Sequence, residues 1–186
     1  MGQNRPPKPV KLIVGMLSQQ ATLFDLAEQQ MQTLWGAIDV RSEVMPFNYT
    51  DYYESQMGPA LLRKFVSFTE LIDPAQLAAI KHQSDRIETA FSQMPEGKQL
   101  GVARPINLDP GYIEPSKLVL ASTKNYSHRI YIGNSMYAEC TLHFHKGRWH
   151  GWPFSYPDYT SGNYDSFLNR TRQLLTEQLS SRKENT

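Results

Sequence analysis

An α+β fold is predicted by the order of periodic segments, β-α-β-β-α-β, followed by an antiparallel hairpin pattern and a final helix. KLIVGML, from Lys11 to Leu17, reads as a buried strand. The helix after it takes Thr22 as N-cap with Asp25 at capping-box spacing. Phe24, Ala27, Met31, Leu34 and Trp35 form its apolar stripe, and Gly36 stops it. A second strand is expected over Ile38 to Phe47 and a third over Leu61 to Leu71. Asp73-Pro74-Ala75-Gln76 announces the next helix: Asp73 caps, Pro74 takes the first position and Gln76 caps in return. Leu77, Ile80, Ile87 and Phe91 are its buried stripe, and a fourth strand falls near Arg104 to Leu108. That order is the split βαβ, or ferredoxin-like, arrangement.

A C-terminal antiparallel extension follows. Lys117 to Ser122 and Met136 to His145 read as strands, and Lys146-Gly147 turns the chain into Arg148 to Trp152. In the longer strand Ala138, Cys140, Leu142 and Phe144 share one face. Tyr137, Glu139, Thr141, His143 and His145 share the other, expected to be wet. The last helix spans Tyr164 to Leu179. Residues 1–9 are expected to be a disordered lead-in, 10–180 a single α+β domain and 181–186 a frayed tail.

At 186 residues, roughly 70% of the unfolded surface can be buried, so the core needs no covalent staples. Lys and Arg number 19 against 18 Asp and Glu, a net charge of +1 that disfavours bulk attraction to nucleic acid or anionic lipid. Any anion site must be a local cluster. No apolar run approaches the roughly 20 residues that span a bilayer, and no signal peptide is evident. Cys140 is the only cysteine, which excludes an internal disulfide and a cysteine-built zinc site. A cytoplasmic protein is expected. No P-loop, dinucleotide fingerprint or G-x-S-x-G elbow is present.

The stretch NLDPGYIEPSKLVLASTKNYSHRIYIG, from Asn107 to Gly133, holds most of the chemistry. Whether Thr123 to Arg129 is extended or helical, Lys124 and His128 share a face, with Arg129 adjacent. A phosphate or carboxylate is held by such a set: a planar guanidinium, a lysine point charge and an imidazole that titrates near neutrality. Asp109 is placed as a base or metal ligand, and Lys117 and Tyr112 as further contacts. Asp-Pro-Gly is equally an ordinary turn sequence, and loop cations are commonly only solvated. Two other segments attract attention. TDYYESQMG (50–58) brings two tyrosines and Glu54, an acid or base, though such aromatics also serve to cover a sheet edge. GWPFSYPDY (151–159) is a stiff aromatic loop that could stack on a ring or seal one end of the core. His143-x-His145 with Glu139 falls short of the three or four protein ligands zinc usually takes, so no metal is expected.

The runs NLDPGY, SKLVLASTKNYSHRIYIG and YPDY, with TDYYESQMG and FVSFTELIDPAQL upstream, resemble the family described as domain of unknown function 4416. The resemblance covers Lys11 to about Arg172 and implies a cytoplasmic bacterial protein without implying an activity. Asn107, Asp109, Gly111, Tyr112, Ser116, Lys117, Lys124, His128 and Arg129 occupy motif positions; Gln56 stands where the family pattern has an acidic residue.

Two function classes follow. The first is a site for a small phosphorylated or carboxylated ligand between Asp109 and Arg129, with catalysis and cofactor open. Lys124, His128 and Arg129 would converge on the anion. The second is a non-enzymatic binding or assembly module that uses the exposed face of strand 137–145. Oligomeric state is not legible.

Overall fold

The computed structural model of the chain describes residues 3–184, and its strands form one nine-stranded sheet. The main path runs β2 (Ile38–Arg41), β4 (Leu62–Ile72), β1 (Val10–Ser18), β5 (Ile106–Glu114), β6 (Lys117–Ser122), β8 (Met136–His145) and β7 (Ile130–Gly133). β3 (Met45–Pro46) pairs with β4 and β9 (Arg148–Gly151) with β8, and every pairing is antiparallel. The long helices are α1 (Ala21–Trp35), α3 (Leu77–Gln93) and α6 (Asp165–Glu184); α2 (Glu54–Met57), α4 (Pro95–Lys98) and α5 (Pro157–Thr160) are single turns. Among the described residues no helix is long and apolar enough to cross a membrane.

β1 is buried at every position because the sheet is covered on both faces. Its Leu12, Val14 and Met16 pack with Leu23, Phe24 and Met31 of α1 and Ile80 and Phe91 of α3. Ile13, one step along the strand and so on the opposite face, joins Phe65 and the α6 residues Phe167, Leu168 and Leu175. This is why KLIVGML reads as a continuous apolar run rather than an alternating one. Its one charge, Lys11, is fully buried and paired: Nζ lies 2.6 Å from Asp39 and donates to Gln178 Oε1 at 2.9 Å and Phe68 O at 3.0 Å. Those bonds tie β1 to β2, β4 and α6, and satisfy a charge that would be costly alone.

Local expectations hold where the signal is local. Asp73 accepts from Ala75 N, Gln76 accepts from Asp73 N, and this capping box opens a 3-10 turn that runs into α3. Gly36 ends α1 at φ 86°, where Cβ strain would oppose other residues. Lys146 and Gly147, both at positive φ, close the β8–β9 hairpin.

Several expectations are corrected. α1 begins at Ala21 without a side-chain cap, so Thr22 lies inside it, and Leu34 is exposed rather than core. The strand expected over 38–47 breaks into β2 and β3 at Ser42: its N–H still donates to Phe65 O at 2.9 Å, but Phe65 N donates at 2.8 Å to the Ser42 Oγ. Asp109-Pro110-Gly111 lies within β5, not at its end. β7 was not expected at all; it folds back on β8 through Asn134 and Ser135, both at positive φ. On β8, Glu139 and Thr141 are buried instead of wet. Pairing with β6 skips from Leu142 to Cys140, so Thr141 is an extra residue that shifts the face pattern. α6 continues to Glu184 where fraying was expected after residue 180. Residues 3–9 carry no regular element; the ends of the expected lead-in (1–2) and tail (185–186) lie outside the described residues.

Candidate functional site

β5 and β6 pair only from Glu114↔Lys117 to Gly111↔Leu120, and then part. Leu108 and Pro110 belong to the parted stretch and, two residues apart, offer their backbone groups to the same side. Proline has no N–H to leave unpaired there. The Leu108 groups are taken by α3: its N–H donates to Glu88 Oε1 at 2.8 Å, and Lys81 Nζ donates to its carbonyl at 3.0 Å. Two side chains thus replace the missing strand neighbour, as buried backbone groups require.

A cavity of about 560 Å3 opens at the parting, lined by Asn107 and Asp109 from β5 and by Leu120 to Ser122 from β6. Its floor is Arg63, only 3% exposed, on the buried strand β4. Arg63 donates through Nη1 to Asp109 Oδ2 and through Nη2 to Asp158 Oδ2, each at 3.3 Å. Its guanidinium carbon lies 5.0 Å from the Phe47 ring centroid and 5.3 Å from that of Phe65. Gly15 makes the space: a Cβ there would stand 3.0 Å from Nη1.

From this floor an alternating chain of charge runs to α3. Asn107 Nδ2 donates to Asp109 Oδ2 at 2.7 Å, Arg104 donates to Asn107 Oδ1, and Arg104 also donates twice to Glu88 Oε2, at 2.9 and 2.7 Å. Glu88 returns to Lys81 at 3.8 Å. Burial pushes the Glu88 carboxyl up, against the pull of Lys81 and Arg104. Burial likewise raises Asp158, against Arg63 and the Tyr164 hydroxyl that donates to it at 3.0 Å. Burial works against charge on Arg63 itself, but Tyr159, Asp109 and Asp158 hold its pKa above the usual range. Around this floor Arg63 Nε and the Tyr159 hydroxyl are buried without a hydrogen-bond partner among the described residues.

The exposed end is built differently. Lys124 Nζ donates to the Tyr52 hydroxyl and stands 4.4 Å from that ring's centroid. The hydrogen bond from Lys124, then its charge, lowers the Tyr52 phenol below 10.0 against slight burial, with Arg104 adding to the effect. Among the described residues Lys124 makes no ion pair, whereas Arg63, Lys81, Arg104 and Arg129 all do. Tyr53 and Tyr156 supply further wall. Burial, then Asp109, drives the Tyr53 phenol far up, and burial raises that of Tyr156.

His128 and Arg129 do converge on one carboxylate, but it is the protein's own Glu139. His128 Nε2 lies 3.1 Å and Arg129 Nε 2.8 Å from the same Oε2. Arg129 also donates to Lys124 O at 3.0 Å and to the Tyr156 hydroxyl at 2.6 Å, bracing the loop that carries Lys124. Asp109, Lys124 and Arg129 line the cavity. The other expected residues do not. His128 stacks on Phe154 at 4.3 Å; Lys117 pairs with Glu114 at 2.7 Å at the closed end of the β5–β6 hairpin. Tyr112 packs with Leu77 and Val119 toward α3, its phenol pushed up to about 12 by burial, and Glu54 opens α2 on the surface.

The three segments singled out separately meet here, through Tyr52 and Tyr53, through Asn107 to Arg129, and through Tyr156 to Tyr159. Sequence reasoning missed Arg63, Lys81 and Arg104. The signal was present for Arg63: an arginine in the strand LLRKFVSF, otherwise apolar enough to be core, must find carboxylates. Among the described residues no three His, Cys, Asp or Glu side chains gather to hold a metal ion.

No curated protein and no solved structure matches this chain. One family model does, over residues 8–175, nearly the whole chain. It takes in the parted strands, the arginine floor and the Lys124 loop, and the chain therefore belongs to the family described as Domain of unknown function (DUF4416).

Proposed function

We propose that the protein binds a small organic ligand carrying a phosphate or carboxylate and a ring or other apolar body, in the cavity between β5 and β6. The observation that carries this is Lys124, a cation without a carboxylate partner among the described residues, set at the open end of a cavity walled by tyrosines. A volume of about 560 Å3 falls within the roughly 300–1,000 Å3 usual for ligand pockets. Tyrosine walls supply apolar area with polar tips, and the lysine supplies charge at the rim. A ferredoxin-like reading of the chain up to β5 goes with this proposal; the strand order β2-β4-β1-β5, with α1 and α3 on one face, supports it. A cytoplasmic setting fits the lone, unpaired Cys140.

Thermal unfolding against nucleotides, sugar phosphates, inorganic phosphate and carboxylates tests the proposal. A ligand at a hundred times its Kd stabilises by about 2.7 kcal/mol, roughly 5–10 °C for a chain of this size. The shift should be lost in Lys124→Ala, which folds normally because the residue is exposed. Absence of any shift across the panel would reject the site.

A second reading, a binding or assembly module, is favoured by the sheet edge: β7 leaves Ile130 73% and Tyr131 59% exposed. Sedimentation at rising protein concentration decides it, since a persistent monomer removes self-assembly through this edge.

A further inference from the structure

We propose, resting on the anion-site reading, that the ligand is two-ended: a phosphate monoester whose other end carries hydroxyl groups, with the phosphate at Lys124 and the hydroxyls on the floor at Asp109. A sugar phosphate and a nucleotide share this chemistry.

The two ends of the cavity have opposite electrical character. On the floor a single guanidinium, Arg63, lies between two carboxylates, Asp109 and Asp158. An anion placed there would meet an excess of negative charge in a buried setting, where like-charge repulsion is least screened. At the rim the charge is reversed. Lys124 makes no ion pair, and its Nζ donates to the Tyr52 hydroxyl. The anionic group therefore belongs at the rim.

The floor also states what the other end must offer. Asp109 takes both of its hydrogen bonds on Oδ2, from Asn107 and Arg63, so Oδ1 has no partner among the described residues, and the side chain is 27% exposed. That oxygen needs a donor. Arg63 Nε and the Tyr159 hydroxyl are also unpartnered, but neither has surface open to the cavity, so Oδ1 alone is left for a ligand. An ammonium at Oδ1 would stand beside the Arg63 guanidinium, which already holds the other oxygen of the same carboxylate, so a neutral donor is favoured. A ligand hydroxyl is such a donor. Covering Oδ1 without supplying a donor would cost binding, so the floor discriminates as well as holds.

The test is isothermal titration of the full chain with ribose 5-phosphate, glucose 6-phosphate, glycerol 3-phosphate and AMP. Phenyl phosphate and inorganic phosphate serve as hydroxyl-free comparators. At least one hydroxylated monoester should bind about tenfold or more tightly than phenyl phosphate. Asp109→Asn should shrink that advantage to within about twofold, whatever its effect on phenyl phosphate itself; Lys124→Ala should weaken both classes. Phenyl phosphate binding as tightly as the best hydroxylated probe, or discrimination that survives Asp109→Asn, overturns the two-ended ligand and leaves the anion site standing. Binding by none of the probes overturns the anion site itself. Should Asp109→Asn not fold, the wild-type comparison between probe classes decides alone.

Discussion

Lys81 reaches out of α3 to place Nζ 3.0 Å from the carbonyl oxygen of Leu108, on a strand that has lost its neighbour. The lysine is 6% exposed and also pairs with Asp85 at 2.8 Å. Lys81→Met should leave the Leu108 carbonyl unpaired and Glu88 short of a cation, destabilising by about 2–3 kcal/mol in urea unfolding. A loss below ~0.5 kcal/mol would mean that α3 does not hold the open edge of β5.

Gly15 is the counterpart from the sheet side. A methyl group there would sit 2.8 Å from Phe65 Cε1 and 3.0 Å from Arg63 Nη1. Gly15→Ala should cost about 1–3 kcal/mol through overpacking. It should also weaken binding of any ligand seated on the Arg63 floor. An unchanged unfolding midpoint would show that the arginine can shift without penalty.

Asp158 gives stability a pH slope. Burial raises its carboxyl above 3.8 despite Arg63. In the window between that ordinary value and the raised one, the folded protein holds a proton that the unfolded chain has released. Stability from this group therefore rises as pH falls through the window. Asp158→Asn lacks the slope, so the Tm difference in favour of the wild type should widen as pH is lowered from neutral toward 3.8. A difference that narrows over that range would reverse the assignment.

Tyr52 reports the rim. Its phenol is lowered first by the hydrogen bond from Lys124, whereas burial raises those of Tyr53, Tyr156 and Tyr164. Alkaline absorbance titration should lose an early-ionising step in Tyr52→Phe, and in Lys124→Ala that step should move to higher pH. Superimposable curves would place Lys124 elsewhere in solution.

Legibility followed distance along the chain. The stripe Leu77, Ile80, Ile87 and Phe91 and the Asp73 capping box need only neighbours three or four residues away, and both are found in the structure. Arg63 meets Asp109 and Asp158 across 46 and 95 residues, so its burial is invisible until the sheet is assembled. Asp-Pro-Gly looks like a turn because turns favour those residues. Knowing that β6 leaves β5 at Gly111 explains why they suit a strand instead. His128 was expected to hold an external anion, and residue types alone could not reveal that Glu139, eleven residues on, already occupies it. Lys124 was found because a loop lysine stays in reach of solvent whatever the core does.

The parting of β5 and β6 also has a mechanical meaning. The two strands are joined by rungs at one end and open at the other, like the tines of a fork. One tine is braced from behind by α3 through Lys81 and Glu88; the other meets α3 only through the packing of Leu77 with Val119 and Ala121, and beyond it carries β8 with β7 and β9. A molecule that grips Asp109 on the first tine and Lys124 beyond the second is a clip across the open end. Occupancy and the stiffness of that outer flap then become one quantity. Amide exchange at Ala121 and Ser122 would slow in proportion to the fraction of protein that is filled.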